Sequence, residues 1–358
     1  MKYLSHQNNL FLFFVFDYFM ILMLKRDQII ILLDAVISIG LIVFILSYVG
    51  INEVIDHLLK VDLFLLFLSI IFLLAMYIGM SARIKILLHD LGIKLGWPAI
   101  LRSHFVGMLL ADFTPARSGY FATAASLHYN YKVPSEKALI SIFGPQIFDF
   151  VLKVTAGMAG VLLLLSKFLK EGEGAILYIA GAGMSILVIT MILLLFSQRF
   201  LALFNFTMRL PLVGGLATKV ISIFERMQES SHVVIKRTPH LIVLLIFTWS
   251  MKAISWYFVA KSLGITISGI DFHEVFFYFF FQPLITMLEF MPSPTIAGVG
   301  LSEGGSALVM ALFGVTPAAA TSFAILARGK TILINLVAIP DTIKIIPKFF
   351  DSKVKTHL

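Results

Sequence analysis

The chain has 358 residues, of which 59% are apolar and only 13% charged, with a mean hydropathy of +0.97. A soluble domain is about 45–50% apolar and about 25% charged, and its surface could not hide such an excess. Composition therefore excludes a large soluble enzyme domain and points to a polytopic helical membrane protein. The lack of cysteine excludes disulfide scaffolds, zinc fingers and iron–sulfur clusters, and the net charge of +8 reads as cytoplasmic loops on anionic lipid, not nucleic-acid binding.

In chain order, 10–24 is apolar but short for a span and contains Asp17, so 1–27 reads as an interfacial N-terminal extension. Spans are expected at 28–50, 62–80, 138–165, 174–197, 241–263 and 317–340, with 52–60 a short amphipathic connector. The stretch 198–239 reads as an amphipathic segment on the inner leaflet, and 346–358 as a basic cytoplasmic tail. Two apolar stretches do not read as simple spans. One, 99–127, is broken at Thr114-Pro115. The other, 275–314, is broken by Pro292, Pro294, Gly298 and Gly300. The phenylalanines of 276–281 read as lipid-facing bulk, and His104 and His128 as interfacial residues near the cytoplasmic ends of the first stretch.

Lys and Arg cluster in 81–102 (four), 198–239 (six) and 341–358 (four), and are sparse in 51–60, 166–173 and 262–275. By the positive-inside rule the first three regions, with the C-terminus, are cytoplasmic. Threading the spans through these assignments makes 99–127 enter and leave by the cytoplasmic face and 275–314 by the external face. The expected fold is thus an all-α polytopic transmembrane bundle. It forms a single domain, 28–345, with two oppositely oriented re-entrant helical hairpins and repeat-like halves at about 99–197 and 241–340. Thr114, Pro115 and Gly119 form one hairpin tip, and Pro292, Pro294, Gly298 and Gly300 the other. Two short spans, or one kinked span, at each break is the open alternative.

Backbone at such tips must be satisfied by protein or by a polar cavity, since lipid cannot hydrogen-bond it. Charges in the apolar stretches point to the same cavity: Asp112, Arg117, Asp149, Lys153, Glu289, Glu303, Arg328 and Lys330. Asp149 and Lys153 share a helix face, which leaves pairing with each other open. Arg328 shares a face with Thr331 and Asn335, and its guanidinium fork suits a phosphate, with an ion pair to Glu289 or Glu303 as the alternative. No Gly-rich phosphate loop, nucleophile elbow or Cys/His metal spacing occurs, so neither cofactor nor metal is expected and no enzyme activity is assigned.

The run Met291-Pro-Ser-Pro-Thr-Ile-Ala-Gly-Val-Gly-Leu-Ser-Glu-Gly-Gly305, followed by Leu312-Phe-Gly-Val315 and the Arg328 helix, resembles the flippase-like transmembrane region of lysylphosphatidylglycerol synthases. Phe113-Thr-Pro-Ala-Arg-Ser-Gly119 is similar to that family's N-terminal pattern, although Tyr120 stands where the family carries an acidic residue. The resemblance implies movement or handling of amphipathic, phospho- or polyprenyl-phosphate-linked lipids in the cell membrane, with membrane lipids as partners. Two other functions stay open. One is a non-catalytic lipid-binding partner of a separate synthase or glycosyltransferase. The other is an intramembrane lipid-modifying transferase. Homo-oligomerisation is open as well.

Overall fold

The computed structural model describes residues 28–165, 196–205, 214–290 and 295–345, together with scattered positions from 168 to 194. These residues fold into helices and turns, with no strand among them. The expected extension 1–27, the tail 346–358, most of the expected span 174–197, Pro292 and Pro294 lie outside the described residues, as do the side chains of Pro115 and Glu289.

Helix α1 (Gln28–Val49) turns through 89° into the amphipathic α2 (Ile51–Leu59) at Gly50, whose φ of 98° is open to glycine at little cost. Helix α3 (Leu63–Asp90) starts where the Asp62 carboxylate accepts the amides of Phe64 and Leu65 at 2.8 and 3.1 Å. It runs past residue 80, so Arg83 and Lys85 belong to a span and not to the basic loop in which they were counted. Helix α4 (Trp97–Asp112), a 3-10 turn (Pro115–Phe121) and α5 (Ala122–Tyr131) form a hairpin. Helix α6 (Ser135–Gly160) follows, containing Pro145 and ending in a π turn (Val161–Leu165).

After the short α7 (Gln198–Ala202) comes α8 (Gly214–Ser262), an unbroken helix of 49 residues. The segment expected to lie separately on the leaflet is, from Gly214, the polar first half of this helix. No glycine interrupts it between Gly215 and Gly264, and Pro239 is accommodated within it. A second hairpin joins α9 (Glu274–Phe290), a 3-10 turn (Ile296–Gly298) and α10 (Leu301–Leu312). Helix α11 (Pro317–Asn335) begins at Thr316, whose hydroxyl accepts the Ala319 amide at 3.3 Å, and continues through a 3-10 turn (Leu336–Ala338) to Ile345. Four helices are long and apolar enough to cross a bilayer: Leu63–Asp90, Ser135–Leu164, Ser231–Ser262 and Pro317–Ile345. The order long helix, short-helix hairpin, long helix thus occurs twice, as α3 to α6 and as α8 to α11.

In lipid, apolar burial gives little drive between helices, and close packing takes its place. Helices α3 and α8 lie against each other along their length. A Cβ on Gly79 of α3 would fall 2.6 Å from Thr248 Cγ2 of α8, so the helices approach to a distance only glycine permits. Gly107 does the same for the first hairpin: its Cβ would sit 1.8 Å from Thr123 Oγ1 on α5. The aromatic run on α9 corrects the expectation of lipid-facing bulk. Phe276 is half exposed, but Phe277, Tyr278 and Phe281 are fully buried against Trp256 and Phe323, with Phe277 and Phe281 stacked at 5.1 Å. Aromatic edges and faces supply the directional packing that apolar burial alone would not.

Candidate functional site

The turns of the two hairpins, Pro115–Phe121 and Ile296–Gly298, pack against each other. Thr114 opens the first turn in extended conformation, and its hydroxyl accepts the Gly119 amide at 2.6 Å. Thr295 opens the second in the same conformation. Each turn then carries a non-glycine residue in the left-handed region, Arg117 at φ 53° and Ala297 at φ 49°. Such residues hold some 1–2 kcal/mol of strain. Gly119 has no room for a side chain, since its Cβ would meet the Leu110 carbonyl carbon at 2.3 Å. Glu303, third in α10, reaches back to the Gly300 amide at 2.7 Å, closing one half of a capping box. The second turn also leans on α1: the Ile296 amide donates to Ser38 Oγ at 2.9 Å.

Behind these turns lies a cavity of about 180 Å³ bordered by α3, α4, α6, α8, α9, α10 and α11. Among the described residues it is lined by three carboxylates, Asp112, Asp149 and Glu303, and by six basic groups, Arg83, Arg117, Lys153, Lys252, Arg328 and Lys330. Seven of the eight charges singled out from sequence therefore face one space. The eighth, Glu289, falls on a side chain outside the described set.

Each carboxylate meets an arginine. Asp149 takes Arg83 Nη1 at 2.6 Å, so the open pairing with Lys153 is not the one adopted. Lys153 instead lies over the Phe150 ring at 5.5 Å. Asp112 takes Arg117 Nη2 at 3.1 Å. Glu303 takes Arg328 Nε, and Arg328 Nη2 also donates to Ser302 Oγ at 2.5 Å. The ion-pair alternative thus holds for Arg328, and Glu303 is its partner. A charge buried in lipid is held by such pairing, and a bare one would cost several kcal/mol.

Sequence reading missed three participants. Arg83 was counted as a loop cation, although the apolar pattern of α3 continues around it. Tyr77 donates to Asn335 Oδ1 at 2.9 Å, and Asn335 Nδ2 donates to Asp112 Oδ2 at 2.6 Å. Asn335 had a visible signal, the polar stripe it shares with Arg328, whereas Tyr77 had none. His104, expected at an interface, is instead fully buried edge-on to Tyr77 and Tyr120, because α4 turns its polar face into the bundle. No group of three His, Cys, Asp or Glu placed to hold a metal occurs among the described residues.

A family model for the lysylphosphatidylglycerol synthase TM region matches residues 31–339. A UPF0104 membrane protein of Pyrococcus horikoshii is 22% identical over 314 residues, covering 82% of this chain and 90% of the relative. The matched region contains every hairpin turn and every charge of the cavity. This integral membrane protein belongs to the lysylphosphatidylglycerol synthase TM region family.

Proposed function

We propose that the protein moves an amphipathic lipid of the phospholipid or polyprenyl-phosphate class across the cell membrane. The polar headgroup occupies the cavity and the apolar chains remain in the bilayer. One observation carries this reading: charges of both signs, drawn from both hairpin turns, line a single space inside an otherwise apolar bundle. A permanent cavity of that kind costs the bundle packing and charge desolvation, a cost that makes sense if a polar cargo visits it.

In this reading the hairpins are re-entrant from opposite faces, the halves form an inverted repeat, and the C-terminus is cytoplasmic. Alternation comes from rocking one repeat against the other about the cavity. No nucleotide-binding motif is present in the sequence, so movement is downhill or ion-coupled, with Glu303 the group placed to exchange its arginine for a proton. The chain transports lipid and leaves its synthesis to a separate enzyme.

The test is transbilayer movement of fluorescent phosphatidylglycerol in liposomes holding the purified protein. Wild type should speed movement over empty liposomes, Arg328→Ala and Arg117→Ala should abolish most of the gain, and Arg328→Lys should retain part of it. No acceleration by wild type, or unchanged rates in both alanine variants, overturns the reading.

A further inference from the structure

Four cavity residues belong to none of the arginine–carboxylate pairs and share one wall, built by α8, α9 and α11: Trp249, Lys252, Gln282 and Lys330. Lys330 is 6% exposed, and neutral oxygens hold its Nζ: Ser255 Oγ at 2.6 Å, Ser69 Oγ at 3.1 Å and, at a long 3.5 Å, the Ser255 carbonyl. Those bonds use its donors and leave its charge uncompensated. Lys252 stands one wall position away, 3.0 Å from Thr286 Oγ1 and 5.2 Å from the Trp256 ring centre, near enough for the two ammonium charges to act on each other. Two like charges in a medium of low dielectric repel strongly unless an anion joins them.

The wall also holds two buried polar atoms without a hydrogen-bond partner, Trp249 Nε1 and Gln282 Oε1. Trp249 is one turn from Lys252 on α8. Gln282 is 4% exposed, and its amide nitrogen is already committed to Thr286 Oγ1 at 3.1 Å. An unmade buried hydrogen bond costs about 1–3 kcal/mol. Two of them, one a donor and one an acceptor, beside two cations describe the imprint of an absent ligand. Arg328 is not an equivalent anion site, because Glu303 and Ser302 occupy its fork.

We infer that this wall is a phosphate subsite whose ligand also carries a hydroxyl or ammonium group. Lys252 and Lys330 hold the phosphate charge, and Trp249 Nε1 donates to a phosphate oxygen. Gln282 Oε1 accepts from the neighbouring hydroxyl or ammonium. The inference rests on the lipid-transport reading for the source of the phosphate, since a lipid headgroup and a soluble phosphate ester share this chemistry.

Binding to the full chain in detergent, read by calorimetry, tests it with phosphatidylglycerol, phosphatidate, diacylglycerol, glycerol phosphate and inorganic phosphate. Phosphatidylglycerol should bind, diacylglycerol should not, and Lys252→Gln and Trp249→Phe should each weaken binding about tenfold, as loss of one charge-assisted bond requires. Gln282→Leu should weaken phosphatidylglycerol but spare phosphatidate, which lacks the second group. Exposed Lys94→Gln should change nothing. If Lys330→Gln fails to fold, Trp249→Phe and Lys252→Gln carry the test. Competition by inorganic or glycerol phosphate supports the subsite with a soluble source, and binding of lipid alone supports it with a lipid source. Undiminished phosphatidylglycerol binding in both Lys252→Gln and Trp249→Phe, or equal binding of diacylglycerol, overturns it. Intact binding by a protein that fails to speed lipid movement upholds the subsite and removes the transport reading.

Discussion

The pair Arg83–Asp149 offers a measurement of how polar the cavity is. Both side chains are buried, at 3% and 10% exposure, and they meet at 2.6 Å across α3 and α6. Arg83→Met removes one partner and strands a carboxylate. Breaking a buried pair in this way costs about 3–5 kcal/mol, most of it the penalty of the charge left behind. Asp149 keeps a small exposure towards the cavity, so the lower end, about 3 kcal/mol, is expected. The double variant Arg83→Met, Asp149→Leu removes both charges and should recover most of that loss, because replacing a whole buried pair with apolar groups is often close to neutral. Unfolding by sodium dodecyl sulfate in mixed micelles, read by circular dichroism, gives the three free energies needed for a double-mutant cycle. A loss below about 1 kcal/mol in Arg83→Met would place the pair in the range of exposed ion pairs. So small a loss would mean that water solvates Asp149 freely, and the account of a confined charged space would be wrong. A double variant less stable than either single one would refute it by another route.

Asn335→Leu should cost about 1–3 kcal/mol in the same unfolding assay, since it strips a donor from Asp112 and an acceptor from Tyr77 inside the bundle. Ala297→Gly should be neutral or stabilising by up to about 1 kcal/mol, because glycine accepts φ 49° without the strain alanine bears; a clear loss of stability would show that the Ala297 methyl packs usefully. Gly119→Ala should reduce the yield of folded protein in size-exclusion profiles, since the new methyl would meet the Leu110 carbonyl. The native chain has no cysteine, so single cysteines at Trp97 and Lys132 can be labelled without background. Both should react with an impermeant maleimide from the same side of the membrane, and reaction from opposite sides would make the first hairpin a spanning pair.

The membrane class, the four long helices and the two broken stretches were legible because each rests on a local cause: apolar length, or proline and glycine at a break. The bend after Gly50 and the connector α2 were legible for the same reason. What could not be read was partnership. Arg83 and Asp149 are 66 residues apart, and Asp112 and Asn335 are 223 apart; nothing in local spacing ties them. Arg83 was misplaced because a hydropathy window ends a span at the first cation, whereas a bundle with a polar cavity can continue its helix past one. The aromatic run on α9 failed similarly. Hydropathy scores phenylalanine alike against lipid and against protein, and only the register of α9 against α8 and α11 buries Phe277 and Phe281. Pairing at Arg328 shows the limit of reasoning from residue type, since a guanidinium suited to phosphate is equally suited to Glu303.

The bonds around the cavity sort by which half of the chain they join, and the sorting bears on how the halves could move. Arg83–Asp149 and Arg117–Asp112 lie within α3 to α6 and their turn, and Arg328–Glu303 lies within α8 to α11. Bonds that cross between halves at the cavity are of another kind. Tyr77 meets Asn335, Asn335 meets Asp112, and Ser255 donates to the Ser69 carbonyl at 2.7 Å. Net, such hydrogen bonds contribute about 0.5–1.5 kcal/mol each, and those to a charged group about twice that. Splitting a buried ion pair costs more than either. Rocking one half against the other would therefore exchange a few weak bonds while every arginine kept its carboxylate. Away from the cavity, at the end of the long α3–α8 contact, Arg237 grips Asp90 through two bonds of 2.6 and 2.8 Å, a cross-half tie strong enough to serve as the fixed end of such a motion. Cutting that tie with Arg237→Gln should loosen the pivot without altering the cavity, so lipid binding should hold while the rate of transbilayer movement changes. A variant that lost binding and movement together would locate the coupling elsewhere.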